Sequence, residues 1–415
     1  MSLEMCVRVG TTSATAGDEM YSYRTNPWLA VSLFVMTMAV PADAAEEADR
    51  WRTLERQLDA YRSAIGTVRK EHGGVRRLPA VDFFLFGMGE RAKFVYRGGR
   101  LTHALTGELV KAWVATEEQI VPSAYTVAVR TKVGGFVFIT EDEEGVWVEE
   151  GNKKNALSMG KVSLPSFAGY RHALVLRVLH QELLVNVVDG RPVPNLFVYP
   201  KPWYRDGAMM AMAFAKTGNL QLVKKWVADL REPFDKNNGG EAEADNPGQV
   251  LYLVSLVSDK NHLLVPAARK ALRRFETDGH ISGRTDFAPH PVYQTKWAKF
   301  GLQSLGLADP YAVPKVADGY ATLFWWAFKD GDKADQPVIV SDDYPYLTWA
   351  GCHYTGKKLG KLSDRDYPLT WEAKASQARY DGMNRVAPVY AEQRLCAPHT
   401  WHAAEAFLYL LEGQQ

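Results

Sequence analysis

The chain of 415 residues carries 49 Lys and Arg against 48 Asp and Glu, and 47% of its residues are hydrophobic. This length and composition are those of a globular protein with one large domain or two moderate ones, and they exclude disorder as the main state. Because the charges almost cancel, no overall field favours nucleic acid or an anionic membrane as a partner.

A secretory signal is predicted near the N-terminus. The largely apolar segment WLAVSLFVMTMAV is followed by PADAA, which has the small-x-small spacing of a signal-peptidase site. The apolar segment is short for the roughly twenty residues that span a bilayer, so a membrane anchor is the weaker alternative. We expect an N-terminal extension and signal peptide over residues 1–45, with the signal itself at about 20–44, translation starting at Met20, and a secreted or periplasmic mature chain.

The three cysteines, Cys6, Cys352 and Cys396, have neither metal-ligand spacing nor a disulfide framework, and a bridge between the last two is left open. The chain also lacks the phosphate-loop, dinucleotide-binding and α/β-hydrolase motifs. We therefore expect no cofactor and no metal.

The predicted elements begin with an amphipathic helix and linker over residues 46–80, because Trp51, Leu54, Leu58 and Tyr61 recur at helical spacing. Residues 81–165 then contain short β-rich segments such as YTVAVRTKVGGFVFITED, separated by glycine pairs and charged turns. This pattern predicts an antiparallel, sandwich-like β region.

From Tyr170 onward the pattern is helical, starting with the segment YRHALVLRVLHQELLVNVV, which predicts a long amphipathic helix. Nearly apolar segments then alternate with amphipathic ones, as in NPGQVLYLVSLVS followed by NHLLVPAARKALRRFE. A helix that is apolar all round belongs inside and one with a charged face belongs outside. We therefore expect an α+β chain, mainly α, in which residues 166–415 form a catalytic (α/α)6-type toroid of helical hairpins. An open helical-repeat solenoid is the alternative.

A β region followed by paired helices, with the motif WYRDG at Trp203–Gly207 opening an early inner helix, resembles the six-hairpin glycosidases, such as glucoamylases and bacterial relatives of trehalases. The resemblance covers roughly residues 80–415, mostly as architecture and chain order. It implies an α/α barrel in which Arg205 and Asp206 bind hydroxyls of the non-reducing-end sugar. The acid-bearing motif of glucoamylases is not matched residue for residue.

The chemistry of WYRDG supports a sugar site independently. Arg205 and Asp206 can bind vicinal hydroxyls while Trp203 covers the apolar face of the ring, with Tyr204 beside them. Alternatively, Asp206 caps the helix and Arg205 is its ion-pair partner.

The next candidate segment is DKNNGGEAEADNPGQVLYL, a loop that leads into a helix at Pro247. Glu243 and Asp245 are the candidates for the general acid of a glycosidase, because burial beneath a substrate raises a carboxyl pKa. Gln249 lies one turn into the helix and can reach a sugar hydroxyl. A solvated acidic loop with an aspartate cap is the alternative.

A second carboxylate must activate water, and we favour Glu372 as this base, with Asp343 second. In an inverting enzyme the two carboxyl groups stand about 6.5 to 9.5 Å apart. Lys296 and Trp297 precede another inner helix and are candidate sugar contacts.

The last inner segment, CAPHTWHAAEAFLYL, places His399, His402 and Glu405 at helical spacing. Hydrogen bonds from the two histidines to sugar hydroxyls, or their satisfaction inside the barrel, are favoured over metal binding because no further ligand is evident.

Taken together, these patterns predict a secreted glycoside hydrolase, inverting in mechanism, that acts on an oligosaccharide or cell-surface glycan. One alternative is a polysaccharide lyase or sugar epimerase on the same toroid, with His353 or Tyr354 as base and Arg205 or Lys296 neutralising the substrate carboxylate. The other is a non-catalytic glycan-binding protein of the cell envelope.

Overall fold

The computed structural model of the protein describes residues 42–71, 81–197, 199, 201–286, 288–316, 318 and 400–412. The first element is the helix α1, Ala42–Glu71, which covers the segment expected to be an amphipathic helix. Leu54, Leu58, Tyr61, Ile65 and Val68 are buried, and the ring of Trp51 lies tilted with its centroid 5.5 Å from that of Phe136. The helical spacing of these residues therefore marks the face that packs against the β region.

Nine strands between residues 84 and 159 form two antiparallel sheets in which each strand pairs with the next along the chain. The first sheet contains β1 Phe84–Phe86, β2 Phe94–Arg97, β3 Arg100–His103 and β4 Leu109–Ala112. The second contains β5 Ala115–Val121, β6 Thr126–Thr131, β7 Phe136–Glu141, β8 Gly145–Glu150 and β9 Lys153–Met159, with a 3-10 turn at Pro122–Ala124.

The second sheet contributes buried side chains from both of its faces. Val127 and Val129 point into the main core, whereas Ala128 and Phe138 point to the opposite face, where they meet Leu54 of α1. Because successive side chains of a strand alternate between faces, one strand can contribute to both clusters. Helix α1 thus covers the sheet face that would otherwise be exposed.

Seven further helices follow the β region: α2 Ala173–Val185, α3 Tyr204–Thr217, α4 Gln221–Ala228, α5 Asn246–Val257, α6 Leu264–Arg273, α7 Pro291–Ser304 and α8 Thr400–Glu412. Between them lie three two-stranded antiparallel hairpins: β10 Val187–Val188 with β11 Arg191–Pro192, β12 Glu276–Thr277 with β13 His280–Ile281, and β14 Arg284–Thr285 with β15 Ala288–Pro289. No helix in this described part of the chain is long and apolar enough to cross a membrane.

Helix α3 packs against α8 and α5, and α5 in turn packs against α4, α6 and α7. Glycines allow the closest approaches. A Cβ atom on Gly248 of α5 would lie 2.5 Å from the backbone carbon of Trp297 in α7, and one on Gly207 of α3 would overlap the indole of Trp226 in α4. The last residue of the WYRDG motif is therefore explained by helix packing.

The expectation of a mainly α chain with a toroid of helical hairpins over residues 166–415 is wrong. Across the described ranges the structure is mixed α/β, with eight helices and several small antiparallel sheets, and no helical toroid is evident. Alternation of apolar and amphipathic helices requires only that some helices be buried and others exposed. A mixed α/β core meets that requirement as well as a ring does.

Helix α2 differs from the amphipathic helix expected there. From Val178 to Val185 every side chain is buried, including the polar His180 and Glu182. The helix packs against both α1 and α8, so its polar residues lie inside the core rather than on a solvated face.

Candidate functional site

Arg205, in the first turn of α3, lies among three carboxylates. Its Nη1 atom is 3.3 Å from Oδ2 of Asp245 and 3.7 Å from Oε2 of Glu243, and its Nη2 atom is 2.9 Å from Oδ1 of Asp286. Arg205, Glu243 and Asp245 are buried, whereas the side chain of Asp286 is 27% exposed. We call these four residues the Arg205 cluster.

The segment 232–235, between α4 and α5, holds the start of α3, where Arg205 lies. The backbone amide of Tyr204 donates a hydrogen bond of 2.7 Å to Oδ2 of Asp235, and the Tyr204 hydroxyl donates one of 3.0 Å to the carbonyl of Glu232. Asp235 therefore satisfies an amide at the start of the helix that has no partner within it. The Tyr204 ring is held against the segment 232–235, and its hydroxyl is engaged there.

Asp245 immediately precedes α5, where Pro247 occupies the first turn as the sequence indicated. Its Oδ2 atom accepts a hydrogen bond of 2.8 Å from Nε2 of Gln249, and its Oδ1 atom accepts one of 2.9 Å from the hydroxyl of Thr285. Gln249 thus orients this carboxylate from one turn further along the helix.

The two oxygen atoms of Glu243 have different surroundings. Oε1 accepts hydrogen bonds from the backbone amide of Asp286 at 2.5 Å and from Nδ2 of Asn238 at 3.1 Å. Oε2 is buried and has no hydrogen-bond partner in the described part of the chain. Burial, and then the charge of Asp245, raise the pKa of Glu243 to about 7, although Arg205 opposes the shift. Near neutral pH this carboxyl group therefore exists in both protonation states.

Asp286 belongs to the site although the sequence analysis did not select it. It lies between β14 and β15 with a φ of 51°, in the left-handed region that aspartate tolerates better than most residues. Asp189 and Asp278 adopt similar values in other turns, so the sequence pattern around Asp286 carries no signal that separates it from them.

Two tryptophans flank the guanidinium of Arg205. Its Cζ atom lies 5.6 Å from the ring centroid of Trp203 and 5.4 Å from that of Trp401, which are distances of cation–π contacts. Trp203 is half-buried and Trp401 is buried, so the half-buried side chains of Trp203, Asn238 and Asp286 are the parts of the site nearest to solvent.

Asp206 has a different neighbourhood from Arg205 although the two are adjacent in the chain. Its Oδ1 atom accepts hydrogen bonds of 3.0 Å from the hydroxyl of Thr400 and 3.1 Å from the backbone amide of Trp401. The fully buried carboxylate therefore caps the N-terminus of α8, where it also complements the helix dipole.

The remaining candidates lie in α7 and α8 or outside the described residues. Trp297 is fully buried in α7 with its ring near those of Tyr252, Tyr293 and Phe300, and Lys296 is buried beside it. His402 lies in α8. The described residues do not include Asp343, His353, Tyr354, Glu372, His399 or the two cysteines Cys352 and Cys396.

Three cavities on the described residues lie elsewhere. One is near the start of α1, one is beside α6, and one of about 580 Å3 lies between residues 165–170 and the end of α8. None of the three is lined by a member of the Arg205 cluster, so the cluster is identified by its electrostatics and not by a cleft.

Comparisons with models of known protein families, with curated proteins and with solved structures found no match to this chain.

Proposed function

We propose that this protein hydrolyses glycosidic bonds and that Glu243 is the carboxylic acid that protonates the departing oxygen. The observation that carries the proposal is the state of this one side chain: it is buried, its pKa is raised to about 7, and its Oε2 atom has no hydrogen-bond partner among the described residues. A glycosidase needs a carboxyl group that keeps a proton near neutral pH and can direct it at a substrate oxygen.

The charges of the Arg205 cluster support this role. One guanidinium faces three carboxylates, so the cluster is relieved of repulsion when one of them holds a proton. Glu243 is the member whose pKa is raised, and the two donors on Oε1 leave Oε2 as the atom for the proton. A general acid is most effective when its pKa lies near the working pH.

In this proposal the residues of WYRDG take different roles from those that the resemblance implies. Arg205 partly neutralises the three carboxylates of the cluster. Trp203 is half-buried beside it and offers an apolar face on which a sugar ring can stack. Asp206 positions α8 and thereby Trp401. Carbohydrate contact is assigned to Trp203 and Asp286.

The second carboxylate of the proposed mechanism is Glu372, which lies outside the described residues. We propose that it activates water for an inverting displacement, as the sequence analysis expects. Nuclear magnetic resonance of the first-formed product tests this step: the anomeric configuration is inverted if Glu372 acts as a base on water, and retained if a carboxylate attacks the sugar.

We also propose that the mature chain is exported. Helix α1 begins at Ala42, so cleavage near residue 44 would remove only its start. The buried residues of the helix, which begin at Leu54, would remain in the mature chain. Determination of the N-terminal residue of the protein recovered from the expressing cells tests this: an N-terminus at Met1 or Met20 contradicts export with cleavage.

The hydrolase proposal is tested by release of reducing ends from a panel of oligosaccharides of neutral, amino and uronic sugars. With a substrate from this panel, Glu243→Gln is expected to lower kcat by about 100-fold or more, which is the contribution typical of a general acid. The matched control is Glu241→Gln, which removes an exposed carboxylate two residues away in the same loop and is expected to leave kcat unchanged. No release from any member of the panel, or equal losses in the two variants, would overturn the proposal.

A substrate with an activated leaving group separates the role of Glu243 from a merely structural one. A nitrophenyl glycoside needs little protonation of its leaving oxygen, so Glu243→Gln should lose far less activity on it than on the natural glycan.

The lyase alternative has less support because a substrate carboxylate near Arg205 would meet three protein carboxylates. Products that absorb in the ultraviolet through a new double bond would nevertheless establish it.

A further inference from the structure

The cavity beside α6 has a volume of about 350 Å3, within the range of small-ligand sites. We call it the α6 cavity. It is lined by Lys260, Asn261, Val265, Pro266, Arg269, Lys270, Arg273 and Leu307. Four of these eight residues are cationic and none is acidic.

The four cations of the α6 cavity have no carboxylate partner in the part of the chain that the structure describes. Among the residues that the structure describes, Lys260, Arg269, Lys270 and Arg273 form no ion pair with a carboxylate. Asp259, the residue before Lys260, accepts a hydrogen bond of 2.8 Å from the backbone amide of Asn261 and forms no ion pair with these cations. The positive charge on this surface is therefore available to a ligand.

Helix stability explains only part of this arrangement. Lys270 and Arg273 lie in the last turn of α6, where a cation interacts favourably with the helix dipole. Arg269 and Lys260 have no such reason, and Arg269 lies four residues before Arg273, at a spacing where like charges repel by a few tenths of a kcal/mol. The net charge of the chain is only +1, so the concentration of four cations in one concave site is local.

The lining also indicates the class of ligand. Val265, Pro266 and Leu307 give the cavity an apolar part, and the four cations around it are exposed to solvent. No aromatic side chain lines the α6 cavity, so it offers no platform for a nucleobase to stack on. Arginine forks bind phosphate oxygens in pairs, and lysines add point charges.

We propose that the α6 cavity binds a compact anion that carries two phosphate groups. Two arginines and two lysines match such a group in charge, and the side-chain amide of Asn261 can donate to an ester or hydroxyl oxygen of the same ligand. The site is independent of the Arg205 cluster, because none of its lining residues belongs to that cluster. A soluble diphosphate and the headgroup of a lipid with two phosphates present the same chemistry.

Isothermal titration calorimetry of the full chain with inorganic pyrophosphate tests the proposal. One pyrophosphate is expected to bind per chain, more weakly at higher salt, because the attraction is electrostatic. The double variant Arg269→Gln, Arg273→Gln is expected to bind about tenfold more weakly or worse. The matched control is Arg52→Gln, Arg56→Gln, which removes two exposed arginines at the same spacing from α1 and is expected to leave binding unchanged.

Co-sedimentation with phosphatidylcholine vesicles containing a minor fraction of cardiolipin distinguishes the two sources of the ligand. Pyrophosphate binding without co-sedimentation supports a soluble diphosphate, and pyrophosphate binding with co-sedimentation that the Arg269→Gln, Arg273→Gln variant loses supports a lipid headgroup. The proposal is overturned if pyrophosphate gives no saturable binding, if both double variants weaken it equally, or if vesicles bind while pyrophosphate does not.

Discussion

The backbone amide of Asp286 donates a hydrogen bond of 2.5 Å to Oε1 of Glu243. Because Asp286 adopts a left-handed conformation, its amide reaches Glu243 while its carboxylate reaches Arg205. The short hairpin β14–β15 therefore positions Glu243 through the backbone amide of Asp286 and Arg205 through its carboxylate. It also leaves Oε2 of Glu243 as the atom that carries the proton in the neutral form.

The activity is expected to fall as the pH rises through about 7, since a general acid works only in its protonated form and the pKa of Glu243 is raised to about 7. The alkaline limb of the profile of kcat/KM against pH measures this fall. Asp245→Asn should move the limb to lower pH, because the charge of Asp245 is the second cause of the raised pKa, after burial. A limb that moves to higher pH in this variant would contradict the assignment.

Lys93 is expected to make the protein more stable as the pH rises from 7 to about 10. Burial lowers the pKa of this lysine to about 7, although the charge of Glu141 opposes the shift. Below pH 7 the folded state bears the full cost of the buried charge, and above it the folded lysine is neutral while the unfolded one keeps its proton.

Urea unfolding at pH 7 and pH 9 measures the effect of Lys93. The gain in free energy of unfolding should be larger in the wild type than in Lys93→Met by on the order of 2 kcal/mol. Lys132→Met, at an exposed lysine between β6 and β7, is the control and should show the wild-type gain. An equal gain in Lys93→Met would show that the folded lysine keeps its proton up to pH 9 and that burial does not lower its pKa to about 7.

Gly248→Ala is expected to lower the free energy of unfolding by about 1 to 3 kcal/mol, because the added methyl group would overlap the backbone of α7 at Trp297. Gly66→Ala gives the opposite sign. Gly66 lies within α1 with nothing within 4 Å of an added Cβ, so alanine there should stabilise the protein by about 0.5 to 1 kcal/mol. Chemical denaturation of both variants checks the pair, and a stabilising Gly248→Ala would contradict the α5–α7 packing.

Asp206→Ala is expected to destabilise the protein by about 1 to 3 kcal/mol, because it removes the acceptor of the buried Trp401 amide and leaves the Thr400 hydroxyl only the carbonyl of Val193 at 3.4 Å. A double-mutant cycle with Thr400→Ala should show a coupling of about 1 kcal/mol for their shared hydrogen bond. If Asp206 instead holds a sugar, the cycle shows no coupling and the variant changes KM without changing stability.

The sequence predicted those features that depend on local periodicity. The spacing of Leu54, Leu58 and Tyr61 identified α1, and the short alternating segments between residues 81 and 160 identified antiparallel strands. Pro247 marked the first turn of α5 and so placed Glu243 and Asp245 in the loop before it. Each of these inferences requires only the geometry of a few neighbouring residues.

The tertiary structure decided which residues meet. Arg205 contacts Asp245 and Asp286, 40 and 81 residues away in the chain, and Asp206 contacts Thr400, 194 residues away. Adjacent residues at the start of α3 thus point to different partners, because successive side chains of a helix leave it about 100° apart. Hydrophobic pattern indicates whether a helix is buried, but not which neighbour buries it, and for that reason the toroid was wrong while the helices in the described part of the chain were found.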